Sequence, residues 1–344
     1  MPTADPDPDR FLDYGTPGAQ EWWYFDALSA DGRDALVIVW YAGLPFDPEY
    51  GVGTLKHLRQ PARYPAPRAL DHSAIGVSWY RDGKTVAYAL NGYRSGDFRY
   101  EASPLSIRIA GCTLDRDDRG YRLQLETPAV DGRSTIRADL RFDPAPDTAS
   151  MESDLGTSAH PHLWILAAAD CRVSGRMSIE GRSSGSTDFI GRGYHDHNAG
   201  SEEISRAMRR WRWGRVHVGD RTYIYYQAEP RWESARGLLI VCDKGRPVDN
   251  PESGGHTLVV ADTPRRNVFG VVDAGRLSVD DGHYRVSRTL KDRLDDGPFY
   301  LRWTADFDVD GTGALGICEH LETRNLNSRW FNWMIPYRLK RPNG

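Results

Sequence analysis

The stretch SAIGVSWYRDGKTVAYAL, residues 73–90, contains two runs of apolar and aromatic residues on either side of Asp82-Gly83. Asp-Gly between two such runs is a strong signal for a hairpin turn, so the stretch predicts two antiparallel strands. The same pattern recurs at 112–125, 211–228 and 277–287, where Asp and Gly separate short alternating segments. Because meanders of short antiparallel strands form closed barrels or sandwiches, the sequence predicts an all-β fold.

The rest of the chain extends this pattern and adds few helices. Glu21–Asp26 is an aromatic-rich run. Ala35–Tyr41 is expected to be a strand that is completely or almost completely buried on both faces. The clearest helix signal is short, Ser201–Ser205, where Ser and Glu suit a helix N-terminus. Since 344 residues are enough for two domains, we predict an N-terminal β-barrel domain over 1–200 and a C-terminal one over 201–344.

Composition and charge restrict the class of protein. The formal net charge is -4 and neither sign forms long blocks, which is unlike a nucleic-acid-binding protein. The four cysteines lie far apart without a Cys-x-x-Cys pair, which favours reduced thiols. There is no pattern of a signal peptide and no apolar stretch long enough to cross a bilayer. We therefore expect a cytoplasmic protein whose contact with membranes is at most peripheral.

Two short clusters contain four of the ten histidines. One reads HPHLW and ends at Trp164; the other reads GRGYHDHNAG and ends at residue 200. On a strand, residues two apart point to the same side, so His162 shares a face with Trp164, and Tyr194 shares one with Asp196. If both faces line one end of a barrel, these four side chains meet in a single pocket.

Such a pocket has a clear chemical use. A carboxylic acid surrounded by apolar, aromatic walls has a raised pKa and stays protonated near neutral pH. It can protonate an alkene, and aromatic faces then stabilise the cation by roughly 0.5–2 kcal/mol per contact. A neighbouring histidine can orient the acid and return its proton from water. The catalytic candidates are Asp196, His162, Tyr194 and Trp164. The candidate substrate-binding residues are Trp23, Tyr24, His197, Asn198, Trp211 and Trp213.

Two other interpretations of the clusters stay open. Asp-His-Asn beside glycine can simply build a turn whose side chains bind the backbone. Alternatively, His160/His162 and His195/His197 have the His-x-His spacing of a zinc or iron site on strands. In that arrangement Asp196 faces away from its flanking histidines, so a single metal site can hardly use all five side chains.

Tryptophans in the second half of the chain have simpler explanations. Trp211–Arg215 alternates Trp with Arg, which favours a strand with a buried aromatic face and a solvated charged face over a site for phosphate or a membrane surface. Trp330 and Trp333 are expected to be core residues.

Two motifs resemble those of a known family. Glu21–Leu28 (EWWYFDAL), with the Asp-Gly turn and buried strand that follow, and Gly193–Gly200 (GYHDHNAG) are similar to the carotenoid 1,2-hydratase (hydroxyneurosporene synthase) family. That family belongs with the AttH-like lipocalin-type proteins and is related to fungal Diels–Alderases. The resemblance implies two lipocalin-like antiparallel β-barrels with a pocket near their junction. It also implies chemistry on isoprenoids or polyenes without a cofactor.

The resemblance also suggests residue roles. In the hydratases a His-x-Trp pair and a Tyr-x-Asp pair are essential, and here these pairs match His162 with Trp164 and Tyr194 with Asp196. We predict a hydratase or terpenoid cyclase in which Asp196 protonates an isoprenoid double bond, followed by water addition or cyclisation. The alternatives are a Diels–Alderase-like pericyclase, which would only fold a polyene into a reactive shape, and a non-enzymatic lipocalin-like carrier of an apolar ligand.

Overall fold

The hairpin at residues 73–90 is present in the computed structural model, which describes residues 7–157, 159–181, 184–248 and 258–342. It joins Ser73–Arg81 to Lys84–Tyr93 through Asp82 and Gly83. Both turn residues have positive φ, 50° and 73°, as a type I′ turn requires. This turn geometry matches the right-handed twist of the flanking strands and explains why Asp-Gly occurs there.

Strands dominate the described residues. In chain order they are β1 Gln20–Ser29, β2 Asp34–Ala42, β3 Ser73–Arg81, β4 Lys84–Tyr93, β5 Phe98–Ala102, β6 Leu105–Ile109, β7 Cys112–Asp117, β8 Gly120–Pro128, β9 Thr135–Pro144, β10 Met151–Asp154, β11 His162–Glu180, β12 Gly185–Gly200, β13 Met208–Val218, β14 Arg221–Pro230, β15 Arg236–Asp243, β16 Arg246–Pro247, β17 Leu258–Arg266, β18 Val272–Asp280, β19 Arg285–Asp296, β20 Tyr300–Val309, β21 Thr312–Glu322 and β22 Leu339–Lys340. The all-β prediction is confirmed.

The helices are few and short. They are α1 Pro48–Arg59, α2 Ile204–Ala207 and α3 Ile335–Arg338, with 3-10 turns at Ala69–His72, Ser95–Asp97, Thr323–Asn325 and Asn332–Met334. The predicted helix signal at 201–205 leads into α2, where the Glu203 side chain accepts from the Ser205 amide. Among the described helices, none has the length and apolar character that crossing a membrane requires.

The strands form two curled half-barrel sheets. The first has the order β22-β4-β3-β2-β1-β12-β11-β9-β8-β7-β6-β5, with β10 beside β11; the second has the order β16-β15-β14-β13-β21-β20-β19-β18-β17. The chain changes from one sheet to the other between Gly200 and Met208, and β22 returns to pair with β4. The predicted domains 1–200 and 201–344 stay a prediction, because sheet membership alone does not define units that fold separately.

Apolar side chains form three layers around these two sheets. On β1, Trp23 and Phe25 point into the curl of the first sheet, whereas Trp22 and Tyr24 point towards the second sheet. A third cluster, which includes Phe307, fills the curl of the second sheet. Because side chains alternate along a strand, β1 and its neighbour β12 each contribute to two of these layers. The middle layer, between the sheets, is where the candidate site lies.

Buried polar contacts connect the two sheets across the middle layer. Arg215 of β13 forms an ion pair with Asp26 of β1, and both side chains are fully buried. The Tyr24 hydroxyl donates to Glu319 Oε1 of β21 at 2.9 Å. Removing one partner of such a buried contact strongly destabilises a protein. These contacts therefore fix how the two sheets pack against each other.

The Trp-Arg alternation on β13 is only partly as expected. Trp211 and Trp213 are buried in the middle layer, as predicted. The arginines, however, are buried as well instead of solvated: Arg215 pairs with Asp26, and Arg212 Nε donates to Asp273 at 2.9 Å. The physical reason is that both faces of β13 are covered, one by the first sheet and the other by the curl of its own sheet.

The C-terminal tryptophans are also placed differently from the prediction. Trp330 is 70% exposed and Trp333 is 62% exposed, so neither is a core residue. They lie on the turns between β21 and α3, outside the sheets, where no layer of strands covers them.

Candidate active site

Asp196 lies in the middle of β12, on the face that points towards the second sheet. Its neighbours across the sheet are Tyr24 on β1 and Leu166 on β11. The side chain is 5% exposed. Because β12 is paired on both sides over this region, the backbone at Asp196 is fixed by two ladders of hydrogen bonds.

Three neutral groups hold the carboxyl of Asp196. Trp164 Nε1 donates to Oδ2 at 2.9 Å, and the Tyr194 hydroxyl donates to the same oxygen at 2.8 Å. Asn198 Nδ2 donates to Oδ1 at 2.9 Å. An oxygen that accepts two hydrogen bonds has both lone pairs engaged, so the hydroxyl proton of the acid belongs on Oδ1. Trp164 of the predicted His-x-Trp pair and Tyr194 of the predicted Tyr-x-Asp pair thus both bind the carboxyl of Asp196.

The surroundings favour the protonated form of this acid. Burial raises the pKa of Asp196 to about 7; the hydrogen bonds from Trp164 and Tyr194 oppose the rise, and the negative charges of Glu319 and Asp26 add to it. No cation touches the carboxyl among the described residues. Burial also raises the pKa of Tyr194 well above its ordinary value, so its hydroxyl remains a donor. The site therefore holds a neutral acid near pH 7.

Two small adjoining cavities lie beside Asp196. The first, of about 30 Å³, has Asp196, Asn198 and Glu319 on its wall together with aromatic rings, and it has room for water. The aromatic rings of that wall belong to Trp22, Tyr24, Trp211, Trp213 and Tyr226. A second cavity of about 40 Å³ shares Tyr24 and Glu319 with the first.

A much larger cavity of about 510 Å³ adjoins the 40 Å³ cavity. It shares Tyr41, Phe46, Tyr300 and Arg302 with the 40 Å³ cavity, and its wall is mostly apolar. The three cavities therefore adjoin one another in series, with the acid on the wall of the smallest cavity and the wide chamber at the other end. An elongated apolar molecule has the shape that fits such a series.

Most of the predicted substrate-binding residues surround Asp196. Tyr24, Asn198, Trp211 and Trp213 all line the 30 Å³ cavity. Trp164 and Tyr194 bind the carboxyl itself. These six residues come from β1, β11, β12 and β13, so the two sheets build the site jointly.

Trp23 and His197, also predicted to bind substrate, point away from this cavity. They stack on each other inside the first sheet, with ring centroids 4.8 Å apart. His197 Nε2 contacts Glu21 Oε1 at 2.7 Å, and His197 Nδ1 contacts the Pro8 carbonyl oxygen at 2.8 Å. We correct their placement for a simple reason: each is an odd number of residues from a neighbour that faces Asp196, so it lies on the opposite face.

His162 faces the middle layer but does not reach the acid. It pairs across the sheet with Gly200, four residues from Asp196, which is roughly 13 Å along a strand. Its ring packs near Trp22 and Trp211, with centroids 5.7 and 6.1 Å apart, and neither ring nitrogen has a hydrogen-bond partner among the described residues. Burial lowers the pKa of His162 to about 4. The expectation that His162 orients Asp196 is thus not met by any contact.

Three residues around the cavities escaped sequence reasoning. Glu319 accepts from Tyr24 and, at 2.7 Å, from Arg302 Nε, while Trp22 and Tyr226 supply aromatic walls. A signal for Glu319 does exist, because it is an acid directly after the apolar residues Ile317 and Cys318 in a segment with strand character. Such a residue is buried at a cost unless it is paired or used.

The histidines proposed as metal ligands do not come together. His160 is 42% exposed and lies 3.4 Å from Glu202, whereas His195 and His197 are buried inside the first sheet. In the parts of the chain that the structure describes, the one group of three ligand-type side chains within metal-binding distance is Asp47, Glu49 and His72. Arg341 Nη2 donates to both carboxylates of that group at 2.8 Å, so a guanidinium already occupies their oxygens.

Comparisons with known proteins add independent information. The family model described as "Carotenoid hydratase CrtC" matches residues 60–344. A protein named hydroxyneurosporene dehydrogenase from Chlorobaculum tepidum is 27% identical, with 94% of this chain and 88% of that protein covered. The acyclic carotenoid 1,2-hydratase of Thiocapsa roseopersicina is 26% identical over 96% of this chain and 75% of its own. The crystal structure of a protein described as AttH from Nitrosomonas europaea superposes with a TM-score of 0.61 at 16% identity, covering 93% of this chain and 98% of that chain.

Proposed function

The chain belongs to the carotenoid hydratase family CrtC, and on that premise we propose that Asp196 protonates a carbon–carbon double bond of an isoprenoid or carotenoid, to which water then adds. The family membership confirms the resemblance seen in the sequence and the class of enzyme, a hydratase-type lyase. The substrate class is proposed from the names of the relatives, which refer to acyclic carotenoids and hydroxyneurosporene.

One observation carries the proposed role of Asp196. A buried carboxyl is held by neutral donors alone, with its pKa raised to about 7, on the wall of a cavity lined by aromatic rings. A structural carboxylate in a protein interior is normally paired with a cation, because an unpaired buried charge is very costly. An acid kept neutral is instead suited to giving up a proton during a reaction.

The first step that this arrangement supports is proton transfer to the alkene. Oδ1–H of Asp196 delivers its proton to the less substituted carbon of a terminal trisubstituted double bond, and the π electrons form the new C–H bond. The positive charge develops on the more substituted carbon as a tertiary cation. Trp22, Trp211 and Trp213 line this space, and a ring face that contacts the cation stabilises it by about 0.5–2 kcal/mol.

Water completes the reaction. A water molecule beside Glu319 and Tyr24, on the wall of the 30 Å³ cavity, adds its oxygen to the cation and forms the C–O bond. The excess proton of the resulting oxonium returns to the Asp196 carboxylate, which restores the acid. One water is consumed and no electrons are gained or lost, so the chemistry needs no redox partner.

Isotope labelling tests this proposal directly. With an acyclic carotenoid in detergent micelles, reaction in deuterated water should place one deuterium on the carbon next to the hydroxyl-bearing carbon. Reaction in ¹⁸O-water should place the label in that hydroxyl group. A product without carbon-bound deuterium would exclude protonation and favour a pericyclic reaction, and bound but unchanged carotenoid would favour a carrier.

A further inference from the structure

The C-terminal part of the chain has an unusual composition for this protein. Residues 323–341 contain five basic side chains and no acidic one, although the whole chain has a net charge of -4. The five are Arg324, Arg329, Arg338, Lys340 and Arg341. Arg338 and Arg341 pair with carboxylates. The other three have no carboxylate within 4.0 Å in the described residues, so the segment presents uncompensated positive charge.

The same segment presents exposed aromatic rings. Trp330, Trp333 and Tyr337 are 70%, 62% and 67% exposed. They are held in place: Trp333 Nε1 donates to the Trp330 carbonyl oxygen at 2.9 Å, and the rings of Trp333 and Tyr337 lie 6.0 Å apart. The guanidinium of Arg329 lies 5.0 Å from the centre of the Trp330 ring. Three large rings exposed within eight residues form a patch of the kind that marks an interaction site.

This patch borders the mouth of the large cavity. Trp333 and Tyr337 line the 510 Å³ cavity and are also exposed to solvent. Val39 of β2 and the loop residues Phe46 and Phe299 line the same cavity. The apolar interior of the protein therefore opens where Trp333 and Tyr337 are exposed. Of the unpaired basic side chains nearby in sequence, Arg329 is exposed and Lys340 is half-buried.

We propose that this surface, formed by Arg329, Trp330, Trp333, Tyr337 and Lys340, docks onto an anionic lipid bilayer, so that an apolar substrate passes from the acyl chains into the cavity. Trp and Tyr favour the boundary between headgroups and acyl chains, and Lys and Arg are attracted to anionic headgroups. An acidic protein partner would satisfy the charges, but it would cover the mouth of the cavity and supply no apolar ligand. The delivery of substrate rests on the proposed function, whereas the contact with the bilayer does not.

Binding to vesicles tests the surface. Flotation is measured with vesicles of phosphatidylcholine alone and with vesicles in which one lipid in four is phosphatidylglycerol. The wild type should bind the anionic vesicles and lose binding at high salt. The double variant Arg329→Glu/Trp330→Ala, whose residues line none of the three cavities, should bind at least tenfold more weakly. Arg133→Glu/Trp232→Ala is the matched control, because Arg133 is exposed and Trp232 is 75% exposed in other parts of the surface.

Several outcomes would overturn the proposal. These are absence of wild-type binding to anionic vesicles, equal loss of binding in the control, or full binding by Arg329→Glu/Trp330→Ala. A wild-type dimer in sedimentation analysis that the double variant disrupts, without vesicle binding, would show that a second copy covers the patch. Arg329→Glu alone is the second variant if the double one unfolds.

Failure of the proposed chemistry can be told apart from failure of this inference. The double variant should turn over a short, water-dispersed isoprenoid alkene at the wild-type rate and lose rate only when carotenoid is supplied in vesicles. Asp196→Asn should show the reverse, with intact vesicle binding and turnover of both substrates reduced by about 10³-fold. If Asp196→Asn keeps its activity, the chemistry is refuted and the bilayer contact is not.

Discussion

Asp196 and Asp9 are two buried carboxyls on opposite faces of β12, and their surroundings differ in kind. Asp196 accepts from Trp164, Tyr194 and Asn198, all neutral. Asp9, fully buried, lies 2.7 Å from His195 Nε2 and accepts from Arg116 Nη1 at 2.8 Å.

The difference shows what burial does and does not decide. Burial by itself raises the pKa of both carboxyls. For Asp9 the attraction of His195, His197 and Arg116 outweighs burial and lowers the pKa below its ordinary value. For Asp196 no cation opposes burial, and the pKa rises to about 7. The partners therefore determine whether a buried carboxyl is an ion that supports the fold or an acid available for reaction.

The largest expected effect is on turnover. Asp196→Asn keeps the shape of the side chain but removes its acidic proton, so kcat/KM should fall by about 10³-fold. In the wild type, kcat/KM should fall as the pH rises through about 7, because the reactive form is the protonated one. Product formation over a pH series measures both effects.

The control for Asp196→Asn is an aspartate far more exposed to solvent. Asp306→Asn removes a carboxylate that is 67% exposed on β20 and should leave the rate unchanged. Activity of Asp196→Asn above about one tenth of the wild-type value would rule out Asp196 as the proton source, given the usual contribution of a general acid.

The second effect concerns stability, and its sign follows from proton binding. Between about pH 4 and about pH 7 the folded protein holds a proton on Asp196 that the unfolded chain, with a pKa of 3.8, has lost. The free energy of unfolding therefore falls as the pH rises through this window, by up to about 4 kcal/mol from this group. In urea denaturation, the free energy of unfolding of Asp196→Asn should increase relative to that of the wild type as the pH increases. If the free energy of unfolding depended on pH in the same way for both proteins, the raised pKa of Asp196 would be contradicted.

Asp9→Asn should change stability in the opposite sense. Because the pKa of Asp9 is lowered, its charge stabilises the folded protein above the unfolded pKa of 3.8, and this contribution is lost as the pH falls. Breaking the buried pair should cost about 3 kcal/mol of unfolding free energy at neutral pH. The cost should shrink under acidic conditions. A variant as stable as the wild type at neutral pH would show that the His195 and Arg116 contacts contribute nothing net.

The sequence pattern predicted the surroundings of Asp196 in part but gave no indication of Asp9. The two-residue period of a strand correctly placed Tyr194 with Asp196 and gave His162 the same face as Trp164. It could not give the register between β11 and β12, which sets His162 opposite Gly200 and out of reach of the acid. Asp9 escaped notice because nothing local in its sequence shows that the N-terminal segment folds back against β12.

The fold was predicted on the same basis, with similar gaps. The Asp82-Gly83 hairpin and the all-β class follow from local turn chemistry and alternation. Helix α1 was missed although Asp47 caps its first turn and Pro48 begins it, a common start signal. Glu319 lies more than a hundred residues from Asp196 in sequence, and only the packing of one sheet on the other brings it to the same cavity.

The smallest expected effect is that of substituting Glu319, whose charge acts on Asp196 although the two side chains form no hydrogen bond. Its negative charge is one of the causes that raise the pKa of Asp196. Glu319→Gln should therefore move the fall in kcat/KM to lower pH while the maximal rate changes by less than Asp196→Asn changes it. Asp306→Asn, which removes one exposed negative charge from the neighbouring strand, is the matched control and should leave the profile in place. A Glu319→Gln profile that moves to higher pH would mean that loss of the Tyr24 and Arg302 contacts, and not charge, dominates at this site.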